Sequence, residues 1–222
     1  MNLTLIYDAI LTLAYPQVCV ICGSSVERRR FGVACETCWK GTRIFTDEER
    51  ICSTRESAFE AAWAVGSYEG ALRESLLVLK RQPYLPQHVE SLVIEVVRCE
   101  PLNSSTRVIP VPLHPKRLKT RGFNQASIIG QAVSKVLRLP LDEVSLVRVS
   151  TTEKYRAGMD TKGRRDTVAG AFRVAHPRLI AGENILLVDD VFTTGATVSA
   201  CAEALLAAGA GNVFVLTVAR AR

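Results

Sequence analysis

The chain has no apolar run near the roughly 18 residues a membrane-spanning helix needs, which excludes a helical membrane span. Met1–Tyr15 is not expected to be a secretory leader. It is moderately apolar but has no basic start, carries Asp8 and ends in no small-residue cleavage site. The expectation is a cytoplasmic protein, whose thiols stay reduced and form no disulfides. Histidine is scarce, with three in 222 residues, and no Ser-His-Asp or Cys-His arrangement proposes a covalent mechanism. His88 and His176 read as ordinary surface residues. Acid is absent over a long stretch: 101–141 holds no Asp or Glu, but does hold Arg107, Lys116, Arg117, Lys119, Arg121, Lys135 and Arg138. These seven charges exceed the whole chain's net charge of +6, so the basicity is local and calls for an anionic partner.

What is present suffices for a packed protein. Hydrophobic residues make up 48%, enough for a sizeable core, and the length suits one domain or one domain plus a small module. Leu3, Ile6, Ile10 and Leu13 recur at helical spacing and predict an amphipathic N-terminal helix. Four of the seven cysteines read Cys19-x2-Cys22, then twelve residues, then Cys35-x2-Cys38. Each pair can offer two sulfurs to one ion from a tight turn. Four thiolates at tetrahedral positions suit Zn²⁺, and iron less well. Such a site has no open position for a substrate, so the zinc is expected to be structural. The other reading is four free thiols that share this spacing by chance. Arg28-Arg29-Arg30, between the pairs, suits either a nucleic-acid contact or a solvated finger loop. Cys52, Cys99 and Cys201 have no partner at ligand spacing and read as small, partly buried side chains.

Further along, 62–68 reads as a strand, and 70–81 and 87–98 as helices. Val108-Ile109-Pro110-Val111-Pro112-Leu113-His114-Pro115 reads as a short strand running into a rigid loop, because three prolines exclude a regular strand over its whole length. A basic loop with His114, Lys116, Arg117, Lys119 and Arg121 then precedes a helix over about 125–137. Arg binds two phosphate oxygens at once and Lys supplies a compact charge, so this loop is a candidate pyrophosphate site. A solvated basic loop is the plainer alternative. Residues 150–169 are polar and charged, with Lys154, Arg164 and Arg165. They suit a lid or a nucleic-acid surface, against an idle surface loop.

The most informative stretch is Ile185-Leu186-Leu187-Val188-Asp189-Asp190-Val191-Phe192-Thr193-Thr194-Gly195-Ala196-Thr197. Apolar residues run into two acids, then a loop of small residues, then a helix starting near Thr197. Ligands in open α/β sheets bind at that edge. Small residues let backbone N–H groups approach a ligand, and a helix start leaves such groups unpaired beside positive partial charge. Thr193, Thr194, Gly195, Ala196 and Thr197 therefore form a candidate phosphate cradle. Asp189 and Asp190 suit sugar hydroxyls, or a hydrated Mg²⁺ held through outer-sphere contacts. An ordinary βα turn with Thr caps and solvated acids is the alternative.

This stretch resembles the phosphoribosyl-pyrophosphate (PRPP) motif of class I phosphoribosyltransferases, with Phe192 where an aliphatic residue is usual. The resemblance implies that Asp189 and Asp190 contact the ribose hydroxyls as the catalytic pair, and that 193–197 wrap the 5′-phosphate. Val-Pro-Leu-His-Pro-Lys-Arg followed by Arg-Gly-Phe-Asn-Gln is similar to the signature of the ComF/ComFC family, phosphoribosyltransferase-like proteins linked to bacterial competence. The cysteine pairs, Tyr68-Glu69-Gly70-Ala71-Leu72-Arg73, Leu79-Lys80, Gly170-Ala171-Phe172 and Val215-Leu216-Thr217-Val218-Ala219-Arg220 fit as well, in order along nearly the whole chain.

The resemblance implies an α/β fold: a class I phosphoribosyltransferase-like parallel sheet flanked by helices, behind a small N-terminal zinc-ribbon-like module. The zinc module would occupy 1–55 and the phosphoribosyltransferase-like domain 56–222. Strands are expected near 108–113, 144–149, 184–189 and 213–218, with a hairpin around 170–174. The implied ligands are PRPP, or a related phosphoribosyl compound, with Mg²⁺, and single-stranded DNA during uptake. A competence-machinery protein such as a DNA-translocating helicase is an implied partner. The alternatives are an active phosphoribosyltransferase with an unidentified acceptor, and a zinc-ribbon adaptor, which would leave the phosphate loop unexplained.

Overall fold

The computed structural model describes residues 16–52, 57–149 and 170–221. The predicted N-terminal helix and the lid residues Lys154, Arg164 and Arg165 lie outside the described residues. Two short helices, α1 (Glu36–Lys40) and α2 (Asp47–Arg50), lead into a two-residue edge strand, β1 (Ile51–Cys52). Then come β2 (Ala61–Ser67), α3 (Gly70–Leu79), α4 (Gln87–Val97) and β3 (Arg107–Pro110). They are followed by α5 (Pro115–Arg121), α6 (Gln125–Leu137), β4 (Leu146–Arg148) and β5 (Phe172–Val174). The chain closes with β6 (Ile185–Phe192), α7 (Ala196–Ala207) and β7 (Val213–Arg220).

The main sheet runs β1-β2-β7-β6-β3. β2, β7, β6 and β3 are mutually parallel, and β1 joins antiparallel at one edge. Covered parallel strands read as continuous apolar runs because both faces are buried, and β6 and β7 do so. Their alternation divides the core. Leu186 and Val188 pack with α3, α4 and α6 through Leu72, Leu76, Val93 and Ile129. Ile185 and Leu187 pack on the other face with Val198, Cys201 and Leu205 of α7. The result is a helix–sheet–helix sandwich.

The cysteine-rich segment shares the first of these clusters, to which Cys19, Val26, Phe31 and Trp39 belong. Trp39 donates its indole N–H to the Phe31 carbonyl at 3.0 Å. The rings of Phe31 and Trp39 flank His88 of α4, with centroids at 5.1 and 4.5 Å. His88 is thus no ordinary surface residue but a partly buried joint between the two segments. Burial, and then the charge of Arg30, hold its imidazole below the usual histidine range.

Two further expectations change. The strand near 144–149 forms as β4, but it stands outside the parallel sheet and pairs antiparallel with β5. The reason is burial: only Leu146 of its three residues is fully buried, and an inner parallel strand must be covered on both faces. The basic segment is a helix, α5, where a rigid loop was expected. His114 caps it, its Nδ1 accepting from the Lys116 N–H at 3.1 Å. Pro115 occupies the first turn, where its missing N–H costs nothing. Gly122, at φ 83°, ends the helix in the left-handed conformation. Basic residues in the last turn also favour the helix dipole. Of the lone cysteines, Cys52 and Cys201 are buried, whereas Cys99 is exposed.

Candidate functional site

The site is built on the carboxyl end of β6. The strand runs two residues past the acids, to Phe192, and keeps its pairing with β7 there. Residues 193–195 make the turn, and α7 starts at Ala196, one residue before the expected start. Gly195 stands before the helix at φ 77°, a conformation that disfavours any side chain. A Cβ added there would lie 2.9 Å from Cζ of Phe192, so the glycine also lets the loop lie on that ring. Thr194 Oγ1 accepts from the Ala196 N–H at 3.4 Å. Thr193 is exposed, Thr194, Ala196 and Thr197 are partly exposed, and Gly195 is buried. The loop therefore borders solvent at the amino end of a twelve-residue helix, where N–H groups and dipole favour an anion.

The two acids differ. Asp190 is nearly buried, and its Oδ2 lies 3.0 Å from the Lys80 ammonium, which comes from the residue after α3. Asp189 Oδ1 accepts the Asp190 N–H at 2.8 Å. Burial, and then repulsion from Asp190, push the Asp189 carboxyl well above the usual carboxylate range.

Next to this edge, Lys80, Arg81, Lys116, Arg117, Thr120 and Arg121 line a cavity of about 580 Å³. Arg121 donates from Nη1 to Gln125 Oε1, which ties the end of α5 to the start of α6. Lys119 is not among the lining residues, and Nδ1 of His114 is engaged in the helix cap. Lys80 and Arg81 were not picked out as site residues from sequence. The only hint was Leu79-Lys80 among the pieces that fit the family pattern. On the other side of α5, Leu118 helps line a smaller cavity of about 420 Å³ with Pro112, Leu113, Phe123 and Ile128.

The four-cysteine cluster tests well against zinc. The ligand sulfurs of Cys19, Cys22, Cys35 and Cys38 all lie within 4.8 Å of one another. Cys19–Cys38 and Cys22–Cys35 are 3.7 and 3.6 Å apart. A tetrahedron with Zn–S bonds of about 2.3 Å has edges of about 3.8 Å. The first pair sits in a knuckle, where the Gly23 N–H bonds the Cys19 carbonyl and the Cys19 N–H bonds the Ser24 carbonyl. Hydrogen bonds from Ser24, side chain first and then backbone, hold the Cys22 thiol at about 6. Desolvation and the neighbouring sulfurs push Cys38 up to about 12. A dication reverses that penalty, since coordinating thiols are deprotonated outright.

The structure is thus of the α/β class: a parallel sheet covered on both faces, an acid pair and a Thr/Gly loop at the carboxyl edge where such sheets bind ligands, and a four-cysteine cluster ahead of it. No protein-family model matches the chain. It is 27% identical over 230 residues to DNA utilization protein YhgH of Shigella flexneri, covering 94% of this chain and 99% of that protein. It is 28% identical over 196 residues to Competence protein F of Haemophilus influenzae, covering 84% of each. Among solved structures, glutamine PRPP amidotransferase from B. subtilis, complexed with ADP and GMP, aligns at TM-score 0.40 and 15% identity. That alignment covers 60% of this chain and 28% of that one. The chain is a homologue of these DNA utilization and competence proteins.

Proposed function

We propose that this chain binds PRPP, or a related phosphoribosyl ligand, at the carboxyl end of β6 and serves in the uptake or use of DNA. One observation carries the reading. The acid pair, the phosphate-type loop and a basic cavity adjoin, linked by the Lys80–Asp190 ion pair. The names of the relatives, which refer to competence and DNA utilization, support the second half.

The roles follow from charge and position. The N–H groups and hydroxyls of 193–197 receive the 5′-phosphate. Asp189 and Asp190 meet the ribose hydroxyls. The basic cavity takes the diphosphate. The acids are hard oxygen donors of the kind Mg²⁺ accepts, and they suit outer-sphere contact; bound Mg²⁺ would neutralise charge on the diphosphate. The four cysteines would hold a structural Zn²⁺. If an acceptor joins, the same groups favour transfer electrostatically. The cations stabilise departing diphosphate, and the acids stabilise positive charge growing on the pentose.

Calorimetric titration with PRPP and Mg²⁺ tests the pocket. Asp189→Asn and Asp190→Asn should each weaken binding by about tenfold, on the order of one charge-assisted hydrogen bond. Unchanged affinity in the double variant would refute the ribose assignment.

Single-stranded DNA is the second proposed ligand. The favouring observation is that α5 is exposed along most of its length, buries no residue, and carries Lys119 outside the basic cavity. Phosphate contacts give sequence-independent affinity that weakens steeply as salt rises. Gel shifts across a salt series should show that slope. An absence of binding even at low salt would remove DNA as a direct ligand.

A further inference from the structure

Lys80 belongs to two neighbourhoods at once. Its ammonium lies 3.0 Å from Asp190 Oδ2, with the Lys80 side chain 29% exposed and the Asp190 side chain 10%. The same ammonium lies 5.9 Å from the centre of the Tyr68 ring, within range of a cation–π contact. Aromatic ring and carboxylate together fix where the charge sits. Lys80 also lines the basic cavity, beside Arg81 and opposite three cations of α5. Among the described residues that line it, five of six are cationic and none is acidic. An ammonium has three donors, and one carboxylate oxygen uses a single donor. Cations spread over two chain segments suit a polyanion better than a single carboxylate, because each Arg can hold two oxygens at once.

We propose that Lys80 and Arg81 form the second wall of a diphosphate subsite, and that Lys80 bridges this subsite to the acid that meets the pentose. The inference rests on the phosphoribosyl reading above and assigns two binding residues to it from outside the basic segment. The bridge has a consequence. An anion in the cavity shares the cation that neutralises Asp190, so occupation of the cavity and the state of the acid are linked through one side chain.

The test titrates inorganic pyrophosphate, ribose 5-phosphate and PRPP separately into the full chain in Mg²⁺ buffer. The proteins are wild type, Lys80→Gln and Arg81→Ala. Arg81 is exposed and makes no ion pair with the acids, so its variant probes the subsite without unpairing Asp190. Both variants should weaken pyrophosphate and PRPP by about tenfold, and ribose 5-phosphate by less than about twofold. Equal losses for pyrophosphate and ribose 5-phosphate would overturn the separate subsite, as would unaltered pyrophosphate affinity in both variants. A wild type that takes ribose 5-phosphate but not pyrophosphate overturns this inference and leaves the pentose-phosphate seat standing. A wild type that takes none of the three probes removes that seat, and the inference with it.

Discussion

Gly195→Ala is the sharpest probe of the phosphate loop. Two separate costs can be worked from the geometry. At φ 77° an alanine must adopt the left-handed conformation, which costs about 1–2 kcal/mol. Its Cβ would also stand 2.9 Å from Cζ of Phe192, a ring that is 5% exposed and has little room to retreat. Overpacking of this kind costs about 1–3 kcal/mol. The total is about 2–5 kcal/mol, which for a chain of this size lowers Tm by about 4–20 °C. Gly182→Ala is the control. It has nearly the same φ, 76°, but nothing within 4 Å of the added atom, so it should carry only the conformational cost of about 1–2 kcal/mol. The assay is thermal unfolding of both variants, followed by titration with PRPP. Gly195→Ala should also lose about tenfold in PRPP affinity, because relieving the clash moves the N–H groups that face the phosphate. Gly182→Ala should keep its affinity. If both variants melt together, the loop does not lie on Phe192. If Gly195→Ala keeps its PRPP affinity, these N–H groups do not hold the phosphate.

Purified protein should contain one zinc ion per chain by elemental analysis. Cys35→Ser should lose it, with red-shifted tryptophan emission as Trp39 leaves its contact with His88; a metal-free wild type with intact melting would contradict the zinc assignment. Histidine 88 predicts a pH dependence. Folded, its imidazole takes up a proton less readily than it does unfolded, so the unfolded chain binds more protons as pH falls below about 6.5. Stability is therefore full above that pH and declines below it. His88→Gln should show a smaller drop in Tm between pH 7.5 and 5.5 than wild type, and an equal drop would refute the burial argument.

Some elements were legible because their causes are local. The β6–loop–α7 unit follows from an apolar run, two acids and a glycine whose conformation is set within a few residues. The cysteine knuckle follows from spacing alone. α6 forms over the expected 125–137, capped by Asn124, whose side chain accepts the Ala126 N–H. Helix α5 was missed although its signals are also local, because a histidine cap does not read as a start beside the usual Ser, Thr, Asp and Asn.

The amino-acid order by itself determined the two close cysteine pairs and the polar edge after β6, since each depends on neighbours a few positions apart. Only the tertiary structure decided which distant residues share that edge. Lys80 meets Asp190 because α3 packs on the same face of the sheet that receives alternate β6 side chains. Residues 80–81 reach those of α5 only once β3 takes its place beside β6. β4 falls outside the sheet, and His88 becomes a joint between two aromatic rings, for the same reason. Strand order and helix packing are settled by burying apolar surface over the whole chain, and no short window of sequence contains that sum.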